Sequence, residues 1–129
     1  MKEGFQIGDK TEFRAVVTPG DVAAFQGEVV HPVCATFALA RDIEWTSRQF
    51  VLAMREEDEE GIGTFLSIDH KSPAFVGEEV VFTAYIEQLN GNELICSYEA
   101  RVGERLIANG KTGQKILKRE KIEKIFGRP

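Results

Sequence analysis

Cysteine is scarce in this chain. Cys34 and Cys96 stand alone, with no C-x-x-C pair and no histidine beside either one, so a zinc set is excluded. No metal or cofactor is called for, and a reducing cytoplasm is the expected compartment. Long apolar runs are missing too: nothing approaches the roughly 20 residues of a membrane span. The start, Met1-Lys-Glu-Gly, lacks the apolar core of a signal peptide. Positive charge is in deficit. Sixteen Lys and Arg against 21 Asp and Glu leave a formal net charge of −5, which argues against a broadly basic nucleic-acid-binding surface. One basic stretch survives, Lys118-Arg-Glu-Lys-Ile-Glu-Lys124. Repeats, low-complexity tracts and linkers are absent, which predicts a single domain over residues 1–129.

What is present suits a soluble globular protein with its own core: 43% hydrophobic and 29% charged residues in a chain of 129. Lys10 to Val17 predicts a first strand, stopped by Thr18-Pro-Gly20. Asp21 is placed to cap a short turn through Phe25, and the segment to Ala35 reads as loop. A helix is expected from Thr36 to Met54. The run Arg55-Glu-Glu-Asp-Glu-Glu60 repels itself and belongs in water. Beyond Gly61 the apolar period changes from helical to two residues, giving strands over about 62–72, 78–89, 93–102 and 105–117. Asn90-Gly91 marks a tight hairpin whose two turn positions both favour positive φ, and Gly103-Glu104 turns the next pair. One long helix with this much sheet must lie on the sheet's apolar face. The expected class is α+β, a five-stranded antiparallel sheet wrapped around one central helix.

Alternation then aims the side chains. Thr64, Leu66, Ile68 and His70 share one strand face and are assigned to the helix side. On the helix, Thr36, Ala40, Ile43, Ser47, Phe50, Val51 and Met54 form one stripe. Glu44 falls on its margin, between Phe37, Ala40 and Val51, where partial desolvation would raise a carboxyl pKa. A carboxylate and an imidazole beside an apolar face can do nucleophilic or acid–base work.

Thr36, Glu44 and His70, with Val33-Cys-Ala-Thr36, Glu44-Trp45, Gly63-Thr64 and Asp69-His70 around them, resemble the active-site pattern of the fluoroacetyl-CoA thioesterases. Those belong to the hot-dog-fold thioesterase superfamily. The resemblance spans roughly residues 5–118 and keeps the strand, helix, four-strand order. It implies an acyl-CoA thioesterase with catalytic Thr36, Glu44 and His70, and with Val33, Phe37, Gly63 and Thr64 near the substrate. It also implies a homodimer whose sites lie near the interface. Glu44 would attack the thioester or deprotonate a water, His70 would shuttle protons, and Thr36 would orient these groups or attack itself. Amides of the helix start or of Gly63 would hold the oxyanion. One departure stands out: the family's lid segment is longer and bears more phenylalanine than Phe25-Gln-Gly-Glu-Val-Val-His-Pro32. The resemblance therefore carries the reaction class and leaves the acyl group open.

Plainer readings compete at each position. Glu44 sits one turn before Arg48, the spacing of a surface ion pair. His70 would serve as a strand-end histidine, Thr36 as a helix N-cap, His31 as a solvent-facing loop residue, and Cys34 as a small buried apolar group. Gly61-x-Gly63 precedes no helix, so it is not a phosphate loop. Ile122, Ile125 and Phe126 at helical spacing are expected to cap the sheet, with lysines near enough to meet CoA phosphates. Eight helical residues span about 12 Å, so Thr36 and Glu44 share a site only if Thr36 lies in a folded-back loop or comes from a second subunit. Two other functions fit the same fold. A non-catalytic acyl-CoA binder is one. An acyl-thioester dehydratase is the other, but Glu28 stands where its histidine after Phe25-Gln-Gly27 belongs.

Overall fold

The computed structural model describes residues 1–127. The elements run β1 (Lys10–Val16), a 3-10 turn (Pro19–Asp21), β2 (Val22–Phe25), β3 (Glu28–Cys34) and α1 (Thr36–Met54). They continue with β4 (Glu59–Leu66), β5 (Asp69–His70), β6 (Glu79–Asn90), β7 (Glu93–Val102), β8 (Arg105–Lys118) and α2 (Arg119–Phe126). The main sheet is ordered β1-β6-β7-β8-β4, with β5 also on β8, and every pairing is antiparallel. The α+β expectation holds, with a short sixth strand added.

The apolar stripe of α1 dictates this arrangement. Ala38, Leu39, Ile43, Phe50, Val51 and Met54 are buried along it, with Thr46 and Ser47 among them. They lie on the alternate inward residues of the long strands: Val80, Phe82, Ala84 and Ile86 from β6, Leu94, Cys96, Tyr98 and Ala100 from β7, and Ile107 and Ile116 from β8. Each such aliphatic or aromatic side chain contributes about 1.5–3 kcal/mol on burial. Thr36 and Ala40, assigned to the same stripe, stay at its uncovered end.

Four expectations need correction. Residues 22–34 form a hairpin, not a turn and a loop: β2 pairs with β3 as a separate two-stranded sheet, its register interrupted twice. Gln26 at φ 53 and Gly27 at φ 83 supply the positive-φ pair that closes it. Asp21 does not cap a turn through Phe25; its carboxylate receives the backbone N–H and the hydroxyl of Thr18. At the β6–β7 hairpin the turn residues are Gly91 and Asn92. Only Gly91 has positive φ, at 60°, the pattern of a type II′ turn.

The acidic run after α1 is the fourth. Glu59 is buried because the N-terminal ammonium of Met1 sits 2.7 Å from its Oε1 and the N–H of Glu56 donates to the same oxygen. Glu60 gathers Arg48 at 3.1 Å, Arg55, and Arg119 at 3.6 Å, tying α1, β4 and α2 together. Partial burial works against its charge. The Gly61 N–H and the Arg48 and Arg55 guanidiniums outweigh that and hold the carboxyl below its usual range. Of the C-terminal trio, Ile122 is half-buried, while Ile125 and Phe126 remain exposed at 55% and 66%.

β4 can cross α1 this closely only because of Gly61. A Cβ added there would lie 2.6 Å from Cγ1 of the fully buried Val51. Gly61→Ala should therefore cost about 1–3 kcal/mol and lower Tm by several degrees in a thermal melt. Glu60→Gln should destabilise most at neutral pH. Because folding depresses this pKa, the deficit should shrink as pH falls through the folded value, read from denaturation midpoints across pH.

Candidate active site

The candidate residues fall into two groups, at two places along α1. The first lies at its start. Thr36 is the first helical residue and Ala35 occupies the N-cap with no side-chain bond, so the N-cap reading of Thr36 is corrected. Its Oγ1 instead lies 3.0 Å from Nδ1 of His70, a hydrogen bond whose direction follows the ring tautomer. His70 arrives there because β5 pairs it with the fully buried Ala108 of β8, which turns both toward the helix. The bend before β5 is pinned by Tyr98, whose hydroxyl donates to the Ser67 carbonyl at 2.6 Å. Burial, with the nearby charge of Asp69, pushes that phenol up to about 12. It stays a neutral donor at any physiological pH.

The second group lies two turns on. A cleft of about 330 Å³ opens between α1 and β4, lined by Arg41, Glu44, Trp45, Arg48, Gly61, Gly63, Phe65 and the β8 segment Thr112–Gln114. Glu44 is exposed rather than half-desolvated, which corrects its expected setting. It does not pair with Arg48, whose guanidinium is drawn to Glu60. Among the described residues the Glu44 carboxylate has neither a hydrogen-bond nor an ion-pair partner. It is the cleft's one acid, with Gly63 across from it. A methyl group on Gly63 would meet nothing within 4 Å, so that glycine leaves open space.

Thr36 sits in a regular helix, about 12 Å along the axis from Glu44. The folded-back loop is thus ruled out, and one chain does not join Thr36 and His70 to Glu44. Thr64 is corrected as well. β4 carries a bulge between Gly63 and Phe65, which puts Thr64 and Phe65 together over Gly113 and resets the alternation. Thr64 lines an outer groove with Ile62, Lys115, Ile125 and Phe126, away from the Glu44 cleft. Leu66 and Ile68 do pack on the core. Val33 is half-buried at the end of β3 and bridges to Phe75. Phe37 is 59% exposed in the first turn of α1. Neither lines the cleft.

Sequence reasoning missed the cleft's floor and rim. Gln114 is only 8% exposed and its Nε2 donates to Ser47 Oγ at 3.0 Å. Ser47 in turn donates to the Glu44 carbonyl at 3.2 Å. The available signals were a serine on the apolar stripe of α1 and a glutamine in phase with Ile116 on β8. The rim aromatics Trp45 and Phe65 are 44% and 45% exposed.

The profile of the fluoroacetyl-CoA-specific thioesterase family matches residues 17–120 of this chain. Among solved structures, a Thermus thermophilus protein described as a thioesterase superfamily member is 34% identical. The match covers 97% of this chain and 93% of that one, with a TM-score of 0.91. A hot-dog-like protein from Thermanaerovibrio acidaminovorans superposes at 0.87 with 19% identity, covering 97% and 96% of the two chains. The fluoroacetyl-CoA thioesterase FlK also superposes at 0.87, with 21% identity over 98% and 100%. At such identities the last two establish the hot-dog fold alone. No match to the chain is found among curated proteins.

The thiols lie outside this chemistry. Burial, with the charges of Asp21 and Asp42, pushes Cys34 up to about 11; burial pushes Cys96 up to about 12. Both should resist iodoacetamide at neutral pH and react only after denaturation, as followed by mass spectrometry. Rapid native labelling of Cys34 would return it to the list of candidate nucleophiles.

Proposed function

The chain belongs to the fluoroacetyl-CoA-specific thioesterase family, and on that premise we propose that it hydrolyses a small acyl-CoA thioester to the free acid and CoA. The observation that carries this reading is Glu44: a carboxylate without a protein partner, facing a cleft large enough for an acyl group. Held by no neighbouring side chain, it is free to attack a thioester carbonyl or to take a proton from water. The hydrogen-bonded Thr36 and His70 supply a proton shuttle and an orienting hydroxyl. With no side chain capping α1, its first N–H groups are free to hold the oxyanion, and each such donor is worth about 3 kcal/mol.

The protein works as a homodimer in this proposal. Because Thr36 and His70 lie two turns from Glu44 in one chain, a site holding all three takes Glu44 from one protomer and the other pair from a second copy. The exposed Phe37, Trp45 and Phe65 are the apolar surface that such a copy would cover. Acyl-CoA is the only partner required. A purely binding role is the second reading. The exposure of Glu44 in the single chain favours it, since a solvated carboxylate incurs no desolvation cost and needs no catalytic reason to be there.

A thiol-release assay across short, branched and aromatic acyl-CoAs separates the two readings. Turnover is expected; a rise in Tm with acyl-CoA but no free thiol would leave only the binder. Glu44→Gln should lower kcat by orders of magnitude with Tm and dimer intact. Mixing Glu44→Gln with His70→Ala protein should restore roughly a quarter of the wild-type rate, because half the dimers are mixed and each holds one intact composite site. A mixture as inactive as its components would place each site within one chain.

A further inference from the structure

Gln114 is more than nine-tenths buried, and half of its amide is unexplained by the protein. Nε2 donates to Ser47 Oγ at 3.0 Å, which fixes the amide plane with Oε1 as the remaining polar atom. Oε1 accepts no hydrogen bond from any described residue, yet Gln114 lines the Glu44 cleft. That oxygen keeps some accessible surface, and because Gln114 lines the cleft its donor comes from there. A thioester carbonyl cannot be that donor, since it only accepts. An ionised Glu44 cannot either. A water molecule can donate to both.

Resting on the thioesterase reading above, we propose that Gln114 positions the hydrolytic water: Oε1 accepts one of its O–H bonds while the Glu44 carboxylate accepts the other. Two acceptors on one side of the water turn its lone pairs toward the third, where the thioester carbon arrives over Gly63. The amide is well placed for this. One hydrogen bond joins it to Ser47, and a second joins Ser47 to the backbone carbonyl of Glu44 itself, so the amide is tied to the helical turn that carries the base. The step balances without any further reagent. The water oxygen forms the new C–O bond as its proton passes to Glu44. The tetrahedral intermediate then collapses, the C–S bond breaks with its electron pair on sulfur, and the thiolate takes up that proton. The products are a carboxylic acid and a thiol, and Glu44 acts as base rather than nucleophile.

The test is Gln114→Met, which keeps the shape and removes the oxygen, assayed beside wild type with an acyl-CoA and with an acyl thioester of 2-mercaptoethanol, which has no amide. Gln114→Met should lower kcat roughly tenfold to a hundredfold, with KM within twofold, on both substrates. Loss confined to the CoA substrate and expressed in KM would mean that Gln114 binds a pantetheine amide, and would overturn the proposal. So would unchanged kinetics, or an acyl-Glu44 adduct trapped by hydroxylamine. Should Gln114→Met fail to fold, Ser47→Ala, which leaves the oxygen but frees the amide, is expected to lower kcat several-fold at constant KM; an unchanged kcat there overturns it equally. If wild type releases no thiol from any thioester, the underlying reading fails and this one with it. That outcome is distinct from an active wild type matched by its Gln114→Met variant.

Discussion

The packing of α1 against the curled sheet is the constraint from which the rest follows. The helix buries eight residues and must be covered along its whole length, which needs long strands with an apolar inner face. β6, β7 and β8 provide them. The same contact fixes the site, because any residue just off the buried stripe falls at the helix–sheet margin. Glu44 occurs there, one residue after the buried Ile43. Gly61 adds a local condition: only without a side chain at that point can β4 approach Val51 and leave the cleft wall where it is.

Polar groups inside that contact are few, and two of them are joined across it. Ser47 and Gln114 meet at the middle of the interface, where two apolar side chains would have packed with less risk. Their bond links the strand that forms the cleft's floor to the helical turn carrying its acid. The Glu60 cluster plays a comparable part at the far end, joining both helices to β4.

Periodicity made the fold legible where an element is long and amphipathic. The bounds of α1, the three long strands and the Gly103-Glu104 turn followed from local pattern, as did the place, though not the type, of the turn at Gly91. Where contacts distant in sequence decide, the pattern misled. Glu59 reads as solvent-facing until the ammonium of Met1 is placed beside it. The hairpin of β2 and β3 was hidden because Gln26 adopts a conformation usually left to glycine or asparagine, and because Pro32 interrupts its second strand. Thr64 went to the wrong face, since a bulge adds one residue that alternation does not foresee. The pairing of Thr36 with His70 agrees with the resemblance. The separation of Thr36 from Glu44 was already implied by helical rise; that of His70 was not.

The bare start of α1 has an energetic consequence. Ala35 stands where serine, aspartate or asparagine would ordinarily add about 1 kcal/mol by closing the helix end. A sequence selected for robustness alone would adopt one of them, and a consensus-driven redesign would be tempted to do the same. Filling that end would tie up amides that no side chain engages in this structure. Rigidity forgone at this one residue leaves the positive end of the helix dipole uncompensated by any side chain.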